Sequence, residues 1–566
     1  MNSLRQIIKE SSGPGSTVTR TAVLVLLGFV LIPAGKLFAA PIDAGAQLER
    51  AREAMERERI AAEIQEGRNA RDSKVEGEKA DFEKDAAAIT LELKKVNISE
   101  SRILKTEELG ALTEEYEGRT VSLKDLYDLV EKINDLFAKK GYMTCRAFLP
   151  PQKVHNGEVS ILLVEGKTGD VTVNGNRHTK QSYITKTFNL TPGEIANTDA
   201  VTRRLQLFNG SHDAQLRMIM RAGQEPGTSD YEILVYEPKR NSSVTLFMDS
   251  SGYDSSGRLR EGFYYANRSL TGRRDNLHTY YQHSLGSDAW GLGYTAPLNH
   301  HGMKLDLSYS GNQTKIKKGA LKDFDVEGNA WAVGATLRVP FLVDANRRFE
   351  TGFQFIRQHS VTEMGRHTAA RTPWIDDTTS RYIPYISFAH YGKTSVVYHK
   401  HSLTYTDGKR INGEGIHTFN YQLGALWQKR YNSGQLLQAR FDGQLSANRY
   451  QDLVSSDRFY IGGVNSVRGY EESLLAGEEG FAASLEYQVP LVPKGNVRAL
   501  AFFDYGRIFG EAALKDADRL VSTGVGVTAS IKDVSASLVL GIPLKREIGN
   551  EKVDRGRLHF TLSATF

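Results

Sequence analysis

The sequence predicts two small α+β domains in tandem followed by an all-β transmembrane barrel, with sixteen antiparallel strands as the best estimate. Three observations carry this. Residues 89–166 and 167–237 share one order of elements, strand–helix–helix–strand–strand. From about 240 to the C-terminus, helical spacing gives way to alternation of apolar and polar residues with turn signals between runs. A short apolar run near the N-terminus has the layout of an export signal.

That run is Ala22–Ile32, AVLVLLGFVLI, preceded by Arg5, Lys9 and Arg20 and followed by Ala39-Ala40. A membrane-spanning helix needs about 20 apolar residues, so residues 1–40 read as a signal peptide. Phe38 is a poor residue three places before a cut after Ala40, which leaves the cleavage site open.

Residues 46–65, AQLERAREAMERERIAAEIQ, are strong helix formers with nine charges and a thin apolar stripe of Leu48, Ala51, Met55 and Ala62. A helix this polar on every side bridges solvent, sits in a wet cavity, or depends on its own i,i+4 pairs. Residues 66–87 are charged, lack a core period and read as a linker.

The first repeat opens with ITLELKKVNI (89–98), an alternating strand. Leu104–Tyr116 and Leu123–Lys139 have helical spacing, and Gly141 ends the second helix. Cys145–Leu149 and Val159–Val164 are strands about a turn at Gly157. The second repeat places VTVNGN, Ser182–Phe188, Ala200–Leu207, Gln215–Ala222 and Tyr231–Tyr236 in the same roles.

In the last third the alternation is regular. Leu558, Phe560, Leu562, Ala564 and Phe566 share one face, and His559, Thr561, Ser563 and Thr565 the other. Along 534–542 the sole exception is Val539, apolar on the polar face. One apolar and one polar face in strand after strand matches a barrel with lipid outside and water inside. The segment from 240 holds 566 − 240 = 326 residues. Sixteen strands of roughly 10–12 residues fit, and fourteen or eighteen remain open on this arithmetic. Counting back from a periplasmic C-terminus puts 545–556, 510–520 and 452–479 outside, and Lys532-Asp533 and Pro493–Asn496 in the periplasm. The long external loop 452–479 contains Val467-Arg468-Gly469-Tyr470.

By the same alternation Leu500, Phe502, Asp504 and Gly506 share one face. The lipid side cannot hold an aspartate cheaply, so Asp504 points into the lumen, and Glu486 does so on its own strand. Two adjacent carboxylates call for a cation. Arg468, followed by a glycine that permits a tight tip, can supply it if the loop folds inward.

Paired repeats, then a barrel with VRGY in a long loop, FFDYG at 502–506 and a terminal phenylalanine, resemble the outer-membrane transporters of two-partner secretion, the TpsB proteins of haemolysin-activator type. The run RLQLFNGSHDAQLRMIMRAGQEPGTSDYEILVYEP (204–238) belongs to the same resemblance, which covers essentially the whole mature chain. It implies two periplasmic POTRA domains, 89–166 and 167–239, and a sixteen-stranded barrel over 240–566. It implies a helix plugging the barrel at 41–65 and a linker at 66–88. Val467, Arg468, Gly469 and Tyr470 become a motif folded into the lumen, with Asp504, Glu486, Phe502 and Gly506 as its partners on the wall. Phe566 is the outer-membrane C-terminal signature. The implied partners are a large secreted cargo protein, outer-membrane lipid and the barrel assembly machinery. The heavy charge of 46–87 is this chain's departure from the family pattern.

Other chemistries find little support. A net charge of +5, from 72 Lys+Arg against 67 Asp+Glu, gives no case for nucleic-acid binding. One cysteine, Cys145, excludes an internal disulfide framework and Cys-based zinc clusters. Gly392-Lys393-Thr394 lacks the first glycine of a phosphate loop, since 387 is serine. Gly524-x-Gly526-x-x-Ala529 imitates a dinucleotide turn with no helix after it. His300-His301 has no further ligands at metal spacing. No catalytic set, cofactor or metal site is expected. The competing reading is a factor that inserts other barrels into the outer membrane. A diffusion porin would need no tandem repeats.

Overall fold

The computed structural model describes residues 43–70, 73–77, 90–319, 321–365, 372–447, 453–493, 495–510, 518–549 and 551–566. The signal peptide read at 1–40 lies outside the described residues.

Helix α1 (Ala44–Ala70) lies in the barrel lumen. Its 27 residues span about 40 Å at ~1.5 Å per residue. Asp43 caps it, accepting from the backbone N–H groups of Gly45 (3.1 Å) and Ala46 (3.2 Å), and is itself held by Ser360 Oγ at 2.7 Å. Ala44 and Leu48 pack on Ala330, Ala332 and Ile356 of the wall. Ile64 packs on Ala389, Tyr391, Val396 and Tyr398. The helix runs five residues beyond the 65 expected from the sequence. Gly67 lies so close to the Tyr391 ring that a β-carbon would meet it at 2.1 Å. Wall contacts, not helical periodicity, therefore hold the last turns.

The segment read as a linker is also partly structured. β1 (Val75–Gly77) adds to the second repeat in parallel with β8 (Gln215–Ala222), in register Val75↔Met218.

In the first repeat, residues 90–98 of the alternating run form two strands. β2 (Thr90–Leu93) pairs with β4 (Arg119–Ser122), whereas β3 (Lys95–Ile98) pairs with β6 (Glu158–Val164). The break falls at Lys94, where the N–H groups of Lys94 and Lys95 both donate to the Gly157 carbonyl (2.7 and 3.3 Å). β5 (Arg146–Phe148) completes the sheet. Helices α2 (Thr106–Thr113) and α3 (Leu123–Lys139) cover it. Ser122 and Asp125 form a reciprocal cap at the start of α3. Leu126, Leu129, Ile133 and Phe137 recur at helical spacing and are buried against Cys145, Val159 and Ile161. Each contributes about 1.5–3 kcal/mol by burial.

The second repeat has α4 (Gln181–Phe188) and α5 (Thr198–Asn209) on a four-stranded sheet of order β1-β8-β9-β7, with β7 (Lys167–Asn174) and β9 (Thr228–Tyr236). The turn after α5 docks on the barrel. Arg348 donates to the Gly210 carbonyl, Lys304 to the Ser211 carbonyl, and Arg274 pairs with Asp213 at 2.5 Å. His300 also lies in this joint, 3.1 Å from Thr187 Oγ1.

Sixteen antiparallel strands close the barrel. They are β10 (Ser242–Asp249), β11 (Arg260–Asn267), β12 (Asn276–Ser284), β13 (Ser287–Pro297), β14 (Lys304–Lys315), β15 (Glu327–Val343), β16 (Arg347–Met364), β17 (Thr372–Tyr391), β18 (Ser395–Lys409), β19 (Gly415–Arg430) and β20 (Leu436–Ser446), then β23 (Glu479–Pro490), β24 (Val497–Phe509), β25 (Arg519–Ile531), β26 (Val534–Pro543) and β29 (Arg557–Thr565). Short hairpins β21 (Phe459–Ile461)–β22 (Leu475–Gly477) and β27 (Glu547–Ile548)–β28 (Glu551–Lys552) sit in two external loops. Strand lengths run from 8 to 20 residues rather than 10–12. The ladder continues past the bilayer wherever neighbouring strands keep pairing. The seam closes as Phe566 exchanges backbone hydrogen bonds with Val244 (2.8 and 3.1 Å). Among the described residues no helix is long and apolar enough to cross a membrane.

Candidate functional site

The loop between β20 and β23 turns back into the lumen and brings its tip to the inner wall. Hairpin β21–β22 stiffens it, and Ile461, Val467 and Tyr470 pack with Ala482, Ile508 and Leu520 as a small apolar core. Alternation along β24 turns Leu500, Phe502, Asp504 and Gly506 inward, while Phe503 is exposed on the outer face. Ser484 of β23 stands directly opposite Asp504, and Glu486 opposite Phe502.

Arg468 meets this wall with most of its donors. Nε donates to Asp504 Oδ2 at 2.8 Å and Nη2 to Oδ1 at 2.9 Å, a bidentate pair. Nη1 donates to Glu486 at 2.5 Å and Nη2 also to Ser484 Oγ at 3.1 Å. The backbone N–H of Arg468 adds a bond to Asp504 Oδ2 at 3.0 Å. The guanidinium lies 3.5 Å from the centroid of the Phe502 ring. Asp504 is fully buried. Removing one partner of such a pair costs about 3–5 kcal/mol, because the other charge is left buried and unmatched.

The neighbours of Arg468 are placed by size as much as by charge. Val467 fills the notch left by Gly506, where a β-carbon would lie 2.8 Å from Val467 Cγ2. Tyr470 is buried, and its hydroxyl lies 2.8 Å from the carbonyl oxygens of both Val521 and Lys545, which share its one proton. Gly469 has φ +91° and donates its N–H to His559 Nε2 at 3.1 Å. The glycines of the dinucleotide-like run have a plain role. Gly524 makes room for the Phe502 ring and Gly526 for Val539. Val539, apolar on the inner face, packs with Leu500 and Phe502 beneath the guanidinium.

Thus Val467, Arg468, Gly469, Tyr470, Asp504, Glu486, Phe502 and Gly506 meet in one cluster. Phe566 stands apart at the seam. Ser484, His559 and Gly541 belong to the cluster and were not singled out from the sequence. Ser484 and His559 carried the same signal as Asp504, a polar residue on the inner face. Gly541 carried none. Arg50 of α1 flanks the loop, 4.8 Å from the Tyr460 ring centroid and 3.3 Å from the Arg458 carbonyl. Among the described residues no group of three or more His, Cys, Asp or Glu could hold a metal ion.

Comparison with known proteins agrees with this architecture. Residues 91–166 match the family described as POTRA domain, ShlB-type, and residues 376–529 the family described as haemolysin secretion/activation protein ShlB/FhaC/HecB. The heme/hemopexin transporter protein HuxB of Haemophilus influenzae (strain 86-028NP) is 22% identical over 485 residues, 81% of this chain and 84% of the relative. The outer membrane transporter CdiB of Dickeya dadantii (strain 3937) is 24% identical over 481 residues, 80% of this chain and 82% of the relative. The structure of CdiB from Escherichia coli superposes with a TM-score of 0.71 at 16% identity, covering 94% of this chain and 100% of that one. By these matches the chain is similar to the two-partner secretion transporters of haemolysin-activator type, and it has their architecture, an outer-membrane barrel with POTRA domains in the periplasm.

Proposed function

We propose that the chain captures an unfolded exported partner protein, of adhesin or haemolysin type, at its POTRA domains and passes it through the barrel to the cell surface. The observation that carries this reading is what fills the lumen. Helix α1 leads to the periplasmic mouth through its C-terminus, and loop segment 453–478 enters from the external mouth. Neither belongs to the wall, so both can leave without breaking the barrel ladder. Folding of the cargo outside supplies the drive, and the chain performs no enzymatic step. Outer-membrane lipid surrounds the wall, and the assembly machinery inserts it.

In this reading 44–70 is the resting plug, and the Arg468 cluster holds the loop tip during passage. Insertion of other barrels is the alternative, favoured by the β10–β29 seam, which registers only five pairs. Thr245 and Thr565 face each other across it, with hydroxyl oxygens 2.9 Å apart. Cysteines at both positions, in a Cys145→Ala background, would lock the seam. Secretion of the partner that persists in the oxidised protein supports passage through a closed barrel. Secretion lost on oxidation and restored by reductant supports the opening seam.

A further inference from the structure

Helix α1 carries Glu49, Glu56 and Glu63, seven residues apart. At about 100° per residue each lies within ~20° of the last, so the three form one acidic stripe. Arginines flank the stripe, Arg52 and Arg59 on one side and Arg50 and Arg57 on the other. The stripe faces cations on three strands of one wall. Glu49 meets Arg381 of β17 at 2.9 Å, Glu56 meets Lys400 of β18 at 2.8 Å, and Glu63 meets Arg338 of β15 at 2.5 Å. Arg338 also pairs with Asp306 on the wall at 2.6 Å. Lys400 has its carboxylate from the helix, and Arg381 has its nearest one there, with Asp457 of the loop at 3.8 Å. These cations follow the helix from its external to its periplasmic end.

A cation buried without its carboxylate is costly. When α1 leaves, this wall therefore favours any carboxylate-bearing chain that takes its place. We propose that the inner wall of β15–β18 is a carboxylate-binding track, filled at rest by Glu49, Glu56 and Glu63, and then used by acidic side chains of the passing polypeptide. This rests on the transport reading and adds the chemistry of what the lumen holds.

The test uses the full chain with Glu49→Gln, Glu56→Gln and Glu63→Gln in planar bilayers, with short poly-L-glutamate or poly-L-lysine added from the periplasmic side. The triple variant should conduct more than the parent. Polyglutamate should block it at concentrations at least about tenfold below polylysine, and the block should weaken as salt is raised from about 0.1 to 1 M. Adding Arg381→Gln and Lys400→Gln should abolish that preference. Equal block by the two polymers, or a preference unchanged without Arg381 and Lys400, overturns the proposal. If the triple variant yields no barrel, the exchange Glu56→Lys with Lys400→Glu serves instead. Glu56→Lys alone should raise conductance and the pair should restore it; failure of the pair to restore overturns the track. The assay contains no cargo. Normal secretion without a polyglutamate preference removes the track and leaves the transport reading. Lost transport with the preference intact does the reverse.

Discussion

Gly469 and Gly541 touch through their backbones. A β-carbon on Gly541 would lie 2.4 Å from the Gly469 nitrogen, and one on Gly469 would lie 2.9 Å from the Gly541 carbonyl carbon. The loop tip therefore rests on β26 at a distance that no other residue allows, and this contact sets how deeply Arg468 reaches.

Gly541→Ala should accordingly displace the tip while leaving the wall intact, because the obstructing atoms are backbone and cannot swing away. Secretion of the partner should fall to the level of Arg468→Ala, with barrel abundance and heat-modifiability on gels unchanged. Normal secretion by Gly541→Ala would show that the tip tolerates another seat.

Arg468→Ala and Asp504→Ala should each abolish or strongly reduce secretion, and the double variant should be no worse than either. Partners in one bidentate pair lose the same interaction whichever is removed. Additive losses in a quantitative secretion assay would separate the two residues.

Deleting 44–70 should raise single-channel conductance, since the helix occupies the lumen along most of its depth. Secretion should persist. Unchanged conductance in planar bilayers would mean that the helix does not occlude the pore.

Strand β1 already covers the β8 edge of the second POTRA domain, so a cargo that recognises this edge by strand addition must displace it. Glu76→Pro removes a donor and the Glu76–Arg217 pair from this strand. It should tighten binding of an unfolded N-terminal cargo fragment several-fold. Unchanged affinity by titration would place the cargo on another surface.

His212 lies at the joint between the second POTRA domain and the barrel. Its Nδ1–H donates to the Phe208 carbonyl at 3.0 Å, and its Nε2 accepts from the Tyr183 hydroxyl at 3.1 Å. Burial, and after it the nearby cations Lys304, Arg274 and Arg348, hold its pKa well below the usual histidine value. The folded state keeps the ring neutral while the unfolded chain binds a proton below about pH 6.5. Stability of the joint is thus full above that pH and falls by about 1.4 kcal/mol per unit below it. Limited proteolysis at pH 5 should cut near 210 faster than at pH 7.5, and His212→Asn should remove the difference.

Much of this protein was legible in its residues because the relevant patterns are local. Period-two alternation marks which side of a strand meets lipid, and that parity alone places Asp504 and Glu486 on the inner face. Helical spacing in Leu126, Leu129, Ile133 and Phe137 marks a core face without knowledge of the sheet beneath. Only the tertiary structure decided what depends on closure of the barrel. The length of α1 is set by Tyr391 and its neighbours on the wall, since the last turns have no apolar stripe of their own. Strand β1 exists because β8 offers an edge, and the break at Lys94 because Gly157 presents one carbonyl to two donors. The seat of Arg468 depends on Gly541, Gly506 and Gly524. What those glycines do is leave space for atoms contributed by distant strands, and no local pattern records an absent side chain's neighbours.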